Sequence, residues 1–510
     1  MIYIEPINNV FSKLVADDEE TFRRVYNYFR IKDPSKEHTP RVKAGIDDGK
    51  TDFIKTNGQF LWGLKSKIID YLERNDIEYK DNVPGVHEKI DDNEWNDFVS
   101  KLDLPFEPYD YQLNGARLII EQKRVFGISA TGSGKSYILY IVIRWFVYKN
   151  IKTMLVVPDV GLVHQMYSDM YEYYTEARGD EDKIIENRKH LNMKTNFDDY
   201  FHKIYAGQEK HTDHLCKITT FQSIYQLGPS GYFEDVEAIL FDEAHRVGTA
   251  DSYFKINEYT DAKYKAGVSG TMCPQLHDQL MLEGLIGESV SIITSRQLID
   301  RGLATEVFIQ PIYLEYSDET RKQFRTRDKK WTAQDKFIRE HARRREFIKK
   351  LLLQLSKSGN TLALFKNKQI QKDLYKELKA VHSNTFIING DVKGEERERI
   401  RKMIDGVPDA IIIATDKVLS TGINLKSLRN IVFALVNKAE IGAIQAIGRV
   451  IRLFDGKDHA SVYDIVDDAA YTTKNGNTYD NYHLRHHFER LRAYHKYVYP
   501  VLSPKRIRIE

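Results

Sequence analysis

Val125-Phe126-Gly127-Ile128-Ser129-Ala130-Thr131-Gly132-Ser133-Gly134-Lys135-Ser136 decides the fold: an apolar run enters a glycine-bearing turn, and an apolar helical pattern begins near Lys135. The run from Val125 to Ser129 reads as a buried strand. Glycines in such a turn let backbone N–H groups approach phosphate oxygens with no Cβ in the way, and the helix N-terminus adds partial positive charge. Thr131, Gly132, Ser133 and Gly134 then cradle the phosphates of a nucleotide. Lys135 meets the β- and γ-phosphates, and Ser136 offers a hydroxyl to Mg²⁺. Ser129 stands where the general phosphate-loop pattern has a glycine.

Working outward, Thr153 to Val157, Ala238 to Phe241 and Tyr264 to Val268 repeat the strand texture, with helical patterns between them. This alternation predicts a mostly parallel sheet covered by helices. The third of these four runs delivers Asp242-Glu243-Ala244-His245 to the carboxyl end of the sheet. Asp242 there holds Mg²⁺ through water, and Glu243 orients and deprotonates an attacking water, which is hydrolysis. A second series, Thr361 to Phe365, Thr385 to Ile388, Ala410 to Ala414, Ile431 to Leu435 and Ser461 to Ile465, predicts a second α/β domain. That series has no phosphate loop. It ends instead in Gln445-Ala446-Ile447-Gly448-Arg449-Val450-Ile451-Arg452. Arg449 and Arg452, three apart on an expected helix, share a face and read as arginine fingers for a γ-phosphate across a cleft. Gln445, one turn earlier, is placed to contact His245 or the water.

The rest of the chain sets bounds. With 510 residues, 42% hydrophobic and 29% charged, it is long enough for several domains. We read residues 1–90 as a small α+β N-terminal domain, 91–310 and 311–475 as the two α/β domains, and 476–510 as a basic, helical C-terminal extension. No signal-peptide pattern or apolar run of about 18 residues is visible, so neither secretion nor membrane insertion is expected. The cytoplasm is the expected compartment, that of a host cell if the gene belongs to a phage. Cys216 and Cys273, far apart, exclude a cysteine-ligated cluster and read as reduced thiols. A formal net charge of +2 announces no polyanionic partner by itself, so basic groups must be read locally. Residues Ser317 to Arg345, ending in Arg343-Arg344-Arg345, read as linker passing into a solvated helix. Residues Thr175 to Lys203 read as a surface insertion.

Taken together, the loop, Asp-Glu-Ala-His and Gln-x-x-Gly-Arg-x-x-Arg resemble the superfamily 2 nucleic-acid helicases and translocases, from about Tyr109 to Asp468. The resemblance implies two RecA-like parallel-sheet domains in tandem and ATP with Mg²⁺ as cofactors. Tyr109-Asp110-Tyr111-Gln112 resembles the adenine-reading segment, with Gln112 on the base and Tyr109 as a stacking face. Pro158 and Gln165, then Thr220 and Gln222, resemble the first two strand-contacting motifs, whose hydroxyls, amides and helix N-termini suit phosphate oxygens. Ser269-Gly270-Thr271 resembles the motif that couples the His245 loop to the nucleic-acid side. In the second domain, Thr415 falls where relatives touch a backbone phosphate. Gly422 and Asn424 fall near the nucleotide, Asn424 where many relatives carry Asp.

The N-terminal unit, with Thr39-Pro40-Arg41-Val42, Asp47-Asp48-Gly49-Lys50 and Leu61-Trp62-Gly63-Leu64 before this motor, resembles the phage UvsW-type branch-migration helicases. That implies DNA as partner, branched at forks or four-way junctions or partly single-stranded. Arg23, Arg24, Arg30, Lys32, Arg41, Lys43 and Lys50 form a candidate phosphate-facing patch, while Trp62 reads as core. At the other end, His483, Arg485, His486, His487, Arg490, Arg492 and Lys496 are interleaved with tyrosines, which suits phosphate contact; a helix packed on the second domain explains the apolar members equally well. A monomer is expected. Two alternatives stay open, an RNA helicase and a duplex-binding ATPase that remodels without separating strands.

Overall fold

The computed structural model describes residues 1–37, 39–85, 87–193, 196–249, 251–389, 394–415, 425, 427–435, 440–450, 452–454 and 456–510. The chain divides into two compact units, Met1–Ile293 and Thr294–Glu510. Each contains a seven-stranded, all-parallel sheet of the RecA-like kind. No helix of the described residues is long and apolar enough to cross a membrane.

In the first unit the strand order is Ser289–Ile293, Arg124–Ser129, Tyr264–Ser269, Ala238–Asp242, Thr153–Val157, Cys216–Thr220, Phe201–Ile204. A parallel sheet must be covered on both faces, so its strands read as continuous apolar runs rather than alternating ones. Side chains nevertheless alternate between two cores. Val125, Leu155, Val157 and Leu240 pack with the buried helix Lys135–Tyr148. Phe126, Val156, Ile239 and Phe241 pack with Ile2, Ile4, Leu14, Phe60, Leu64 and Ile68.

Those last six residues belong to the N-terminal domain. Its own sheet, in the order Gln59–Leu61, Phe11–Ala16, Ile2–Pro6, Tyr79–Asp81, therefore covers the second face of the motor sheet. The seam is tight: a Cβ on Gly284 would lie 2.8 Å from a methyl of Leu61. Arg124, the first residue of the strand that feeds the phosphate loop, places its guanidinium 4.7 Å from the ring centre of Trp62. Trp62 is thus half-buried and packed, as expected. The candidate basic patch of this domain is partly spent internally, since Arg23 pairs with Glu19, Arg30 with Asp48 and Asp52, and Lys32 with Glu37.

The 175–203 stretch corrects the surface-insertion reading. Its helix Glu181–His190 has no buried residue, but Leu191, Met193, Phe197 and Tyr200 enter the core behind it, and Phe201–Ile204 closes the sheet edge. Arg188 on that helix bonds the buried Asp103, which also pairs with the fully buried Arg144 at 2.5 Å.

The second sheet runs Thr385–Ile388, Ile411–Thr415, Asn360–Phe365, Leu428–Leu435, His459–Asp468, Glu306–Glu315, Lys505–Arg508. Two expectations change here. The supposed linker is three helices, Asp318–Thr326, Trp331–Glu340 and Ala342–Ser356, and Arg344 is buried with its guanidinium on Asp467 at 2.6 Å. The C-terminal segment is part of the sheet rather than an appendage, because Lys505–Arg508 pairs in parallel with Ile312 to Glu315.

On the helix Tyr482–Lys496, His487, Arg490 and Tyr494 converge on the buried Asp464 at 3.0, 2.7 and 3.0 Å. Burial alone would raise the Asp464 carboxyl; the Arg490 charge and the His487 hydrogen bond overcome it and hold the group well below the usual carboxylate range. His483, His487 and Arg490 are buried and so do not face a phosphate backbone. Arg490→Met strands the Asp464 charge in the interior and is expected to cost about 3–5 kcal/mol, read as a lower urea midpoint for the second unit.

Candidate functional site

The phosphate loop joins a buried strand to a buried helix, and side chains brace it from outside. Gly132 and Gly134 both adopt left-handed conformations, with φ of 89° and 79°. The Ser133 carbonyl accepts two hydrogen bonds, from Gln112 Nε2 and from the Tyr111 hydroxyl, each 2.9 Å long. Gln112 Oε1 in turn accepts the Tyr109 N–H at 2.9 Å. One amide hydrogen and one lone pair of Gln112 are left for a base. The serine at position 129 has a structural reason: it is buried, and its hydroxyl is 2.7 Å from that of Ser133 across the loop. Tyr109 is 49% exposed and lies nearly parallel to Tyr111, with ring centres 5.6 Å apart.

The coupling turn lies directly against the loop. A Cβ on Gly270 would come within 2.9 Å of Thr131 Oγ1 and 3.5 Å of Lys135 Nζ. Ser136 Oγ is 3.0 Å from the hydroxyl of Tyr173, near the end of the helix Val160–Thr175. Nothing in the local sequence separates Tyr173 from the other tyrosines, so the sequence alone does not reveal this neighbour.

Asp242 ends its strand, and Glu243 turns out of it with φ of 49°, a left-handed conformation that costs a non-glycine residue on the order of 1 kcal/mol or more. His245 Nδ1 lies 2.7 Å from Ser269 Oγ and 3.3 Å from Glu243 Oε2, Ser269 Oγ donates to Glu243 at 3.3 Å, and Thr271 N–H donates to Ser269 Oγ at 3.3 Å. The fold thus gathers His245, Ser269 and Thr271 around Glu243.

Burial and the adjacent Glu243 charge push the Asp242 carboxyl up, against the pull of Lys135. Burial also works against ionising Glu243, but the His245 hydrogen bond and the Lys135 charge more than offset it and hold Glu243 below the usual range. A carboxylate so placed as Asp242 fits a divalent cation, whose charge removes the penalty. A carboxylate and a serine hydroxyl are hard oxygen donors, of the kind that suits Mg²⁺ rather than zinc. No group of three or more His, Cys, Asp or Glu side chains able to hold a metal occurs among the described residues.

The strand-contacting candidates fall on the carboxyl edge of the same sheet. Gln222 Nε2 donates to the Pro158 carbonyl at 3.4 Å, bringing the two loops together. Gln165 is exposed. Thr220 is buried, with its hydroxyl 2.9 Å from Ser223 Oγ. The N-terminus of the helix Val160–Thr175 is capped by Asp159, which accepts from Leu162 N–H at 3.1 Å, so a protein carboxylate occupies one terminus read as suited to phosphate.

In the second unit Thr415 ends the strand Ile411–Thr415, Gln445 and Arg449 lie on the helix Glu440–Val450, and Gly422 and Asn424 lie outside the described residues. Arg452 lies outside the helix Glu440–Val450 that carries Arg449. Lys457 Nζ donates to the Val450 and Arg452 carbonyls at 2.6 Å each. Burial, with the charges of Arg429 and Arg452, brings Lys457 down to about 8.

Residues 105–273 match the family described as type III restriction enzyme, res subunit, and residues 343–454 match the helicase conserved C-terminal domain. The chain is 27% identical to the ATP-dependent DNA helicase uvsW of Enterobacteria phage T4 over 508 residues, covering 95% of each. The solved structure of T4 UvsW overlays 100% of both chains at 23% identity and a TM-score of 0.49. S. cerevisiae Dbp5 bound to RNA and ADP BeF3 covers 79% of this chain and 90% of its own at 14% identity and a TM-score of 0.50, a likeness of fold.

The two loop glycines are separable by mutation. An added Cβ at Gly132 meets nothing within 4 Å, whereas at Gly134 it would lie 2.5 Å from Gln112 Nε2. Titration with a fluorescent ATP analogue should show Gly134→Ala losing at least about tenfold in affinity, and Gly132→Ala, which bears only the backbone strain, losing less.

Proposed function

We propose that this chain, which belongs to the superfamily 2 helicases and is an ATP-dependent DNA helicase, acts on branched DNA, remodelling forks and migrating four-way junctions. The observation that carries the reading is the Glu243 cluster. The residue placed to activate water shares hydrogen bonds with His245 and Ser269, and the same turn presses Gly270 against Thr131 and Lys135. Nucleotide state and the nucleic-acid loops are therefore linked through a few short polar contacts.

The roles follow from chemistry. Backbone N–H groups of Thr131 to Gly134, with Lys135, hold the phosphates, while Tyr109 and Gln112 hold the base. Ser136 and Asp242 would hold Mg²⁺, which would supply charge neutralisation at the phosphates. Glu243, kept ionised, orients the attacking water and takes its proton. Gln445 helps position that water. Arg449 and Arg452 stabilise charge on the γ-phosphate, and Gly422 and Asn424 line the nucleotide. Pro158, Gln165, Thr220, Gln222 and Thr415 contact the strand backbone. Loss of the γ-phosphate then removes the partner of the arginines and changes the grip on the strand. The N-terminal domain, fused by its core to the ATP-binding sheet, presents Arg24, Arg41, Lys43 and Lys50 to the branch.

The test is strand displacement and junction migration on fork, four-way, flap and linear duplex substrates, with Lys135→Ala as the inactive control. Forks and junctions are expected to be processed ahead of linear duplex, and ATP hydrolysis to be stimulated more by DNA than by matched RNA. ATP consumption with every substrate intact identifies a remodeller instead, and stronger stimulation by RNA identifies an RNA helicase. Arg449→Ala should lower kcat by about 10³ while leaving nucleotide affinity within a few fold.

A further inference from the structure

In the second unit the strands Glu306–Glu315 and His459–Asp468 end side by side, Glu315 opposite Asp468. The chain leaves the first into the helix Asp318–Thr326 and the second into a small hairpin, Tyr471–Thr472 with Thr478–Tyr479. A cavity of 170 Å³ lies between them. Arg321, Arg325, Lys329 and Arg485 line it with Tyr479, against the single carboxylate of Asp480.

These cations are unusual for this unit. Arg344, Arg490, Arg339 and Arg506 each sit on a carboxylate. Among the described residues none of the four pocket cations does. Arg321 donates through Nε to the Tyr316 carbonyl at 2.8 Å, Arg325 lies 4.0 Å from the ring centre of Tyr479, and Arg485 lies 4.2 Å from that of Tyr482. The Nε of Arg325 is buried with no hydrogen-bond partner among the described residues. Four like charges against one carboxylate repel one another unless a further anion is their partner. The cavity is smaller than a typical pocket for a free organic ligand, and its tyrosines offer faces to a sugar or base. It opens from the carboxyl edge of the parallel sheet, the edge at which Thr415 also ends its strand.

We propose that this pocket is a second strand-binding site, in which Arg325, Lys329 and Arg485 hold a backbone phosphodiester while Tyr479 packs on the adjoining nucleotide. The proposal rests on the nucleic-acid reading above and adds the place where the second unit takes hold of a strand beyond Thr415.

Lys329→Gln with Arg485→Gln is the main variant, because both side chains are exposed; Arg325→Gln is the second. Binding of a labelled oligonucleotide is followed by fluorescence anisotropy across a salt series, with thermal melting and unstimulated ATP hydrolysis measured alongside. Expected are unchanged melting and basal hydrolysis, roughly tenfold weaker binding at low salt, and a salt slope reduced by about 0.7–0.9 for each phosphate that the variant no longer neutralises. Inorganic phosphate is the arm for a free anion. If phosphate protects the pocket while the oligonucleotide affinity and slope of the variants match the parent, the site takes a free anion and the proposal is overturned. Unchanged binding with no phosphate effect overturns it as well. A parent protein that neither binds nucleic acid nor is stimulated by it overturns the functional reading itself, an outcome distinct from a parent that binds and variants that bind equally well.

Discussion

A parallel sheet has no face that it can leave to water, because its strands are apolar on both sides and its crossovers must be packed. The first unit meets this constraint asymmetrically. The helix Lys135–Tyr148 and its neighbours cover one face, and the N-terminal segment with its own mixed sheet covers the other. Each large apolar side chain so buried contributes about 1.5–3 kcal/mol. The N-terminal domain is therefore stabilising matter for the first unit's sheet, and the Arg124 guanidinium beside Trp62 ties it to the strand that ends in the glycine loop.

On that rigid base the site concentrates charge where water is scarce. Lys135 sits close enough to two adjacent carboxylates, Asp242 buried and Glu243 partly so, to bias both, and the environment separates them. Glu243, with His245 and Ser269 on one of its oxygens, is held below the usual carboxylate range. Asp242 is pushed above it. One pair of neighbours in the chain is thus driven apart by surroundings alone.

The strands Thr153–Val157 and Thr385–Ile388 are legible to the residue because they are short apolar runs bounded by turn chemistry. Glu306–Glu315 is not, since Pro311 interrupts it and its ends are polar, and Lys505–Arg508 reads as a charged tail until its partner strand is known. The motif residues announce themselves through order and spacing. Their supports do not: Asp467 beneath Arg344, Asp464 beneath Arg490 and Tyr173 beside Ser136 are far apart in the chain, and local composition shows a solvated arginine or an ordinary tyrosine. Lys457, folded back on the Val450 and Arg452 carbonyls, is likewise a contact beyond any helical periodicity.

The helix Val160–Thr175 carries Gln165 in its second turn and Tyr173 in its last, and at 1.5 Å per residue those points are about 12 Å apart on one stiff rod. The two points share one stiff backbone, and the second touches the hydroxyl of Ser136. One helix therefore spans from the exposed Gln165 to the first turn of the helix that follows the glycine loop.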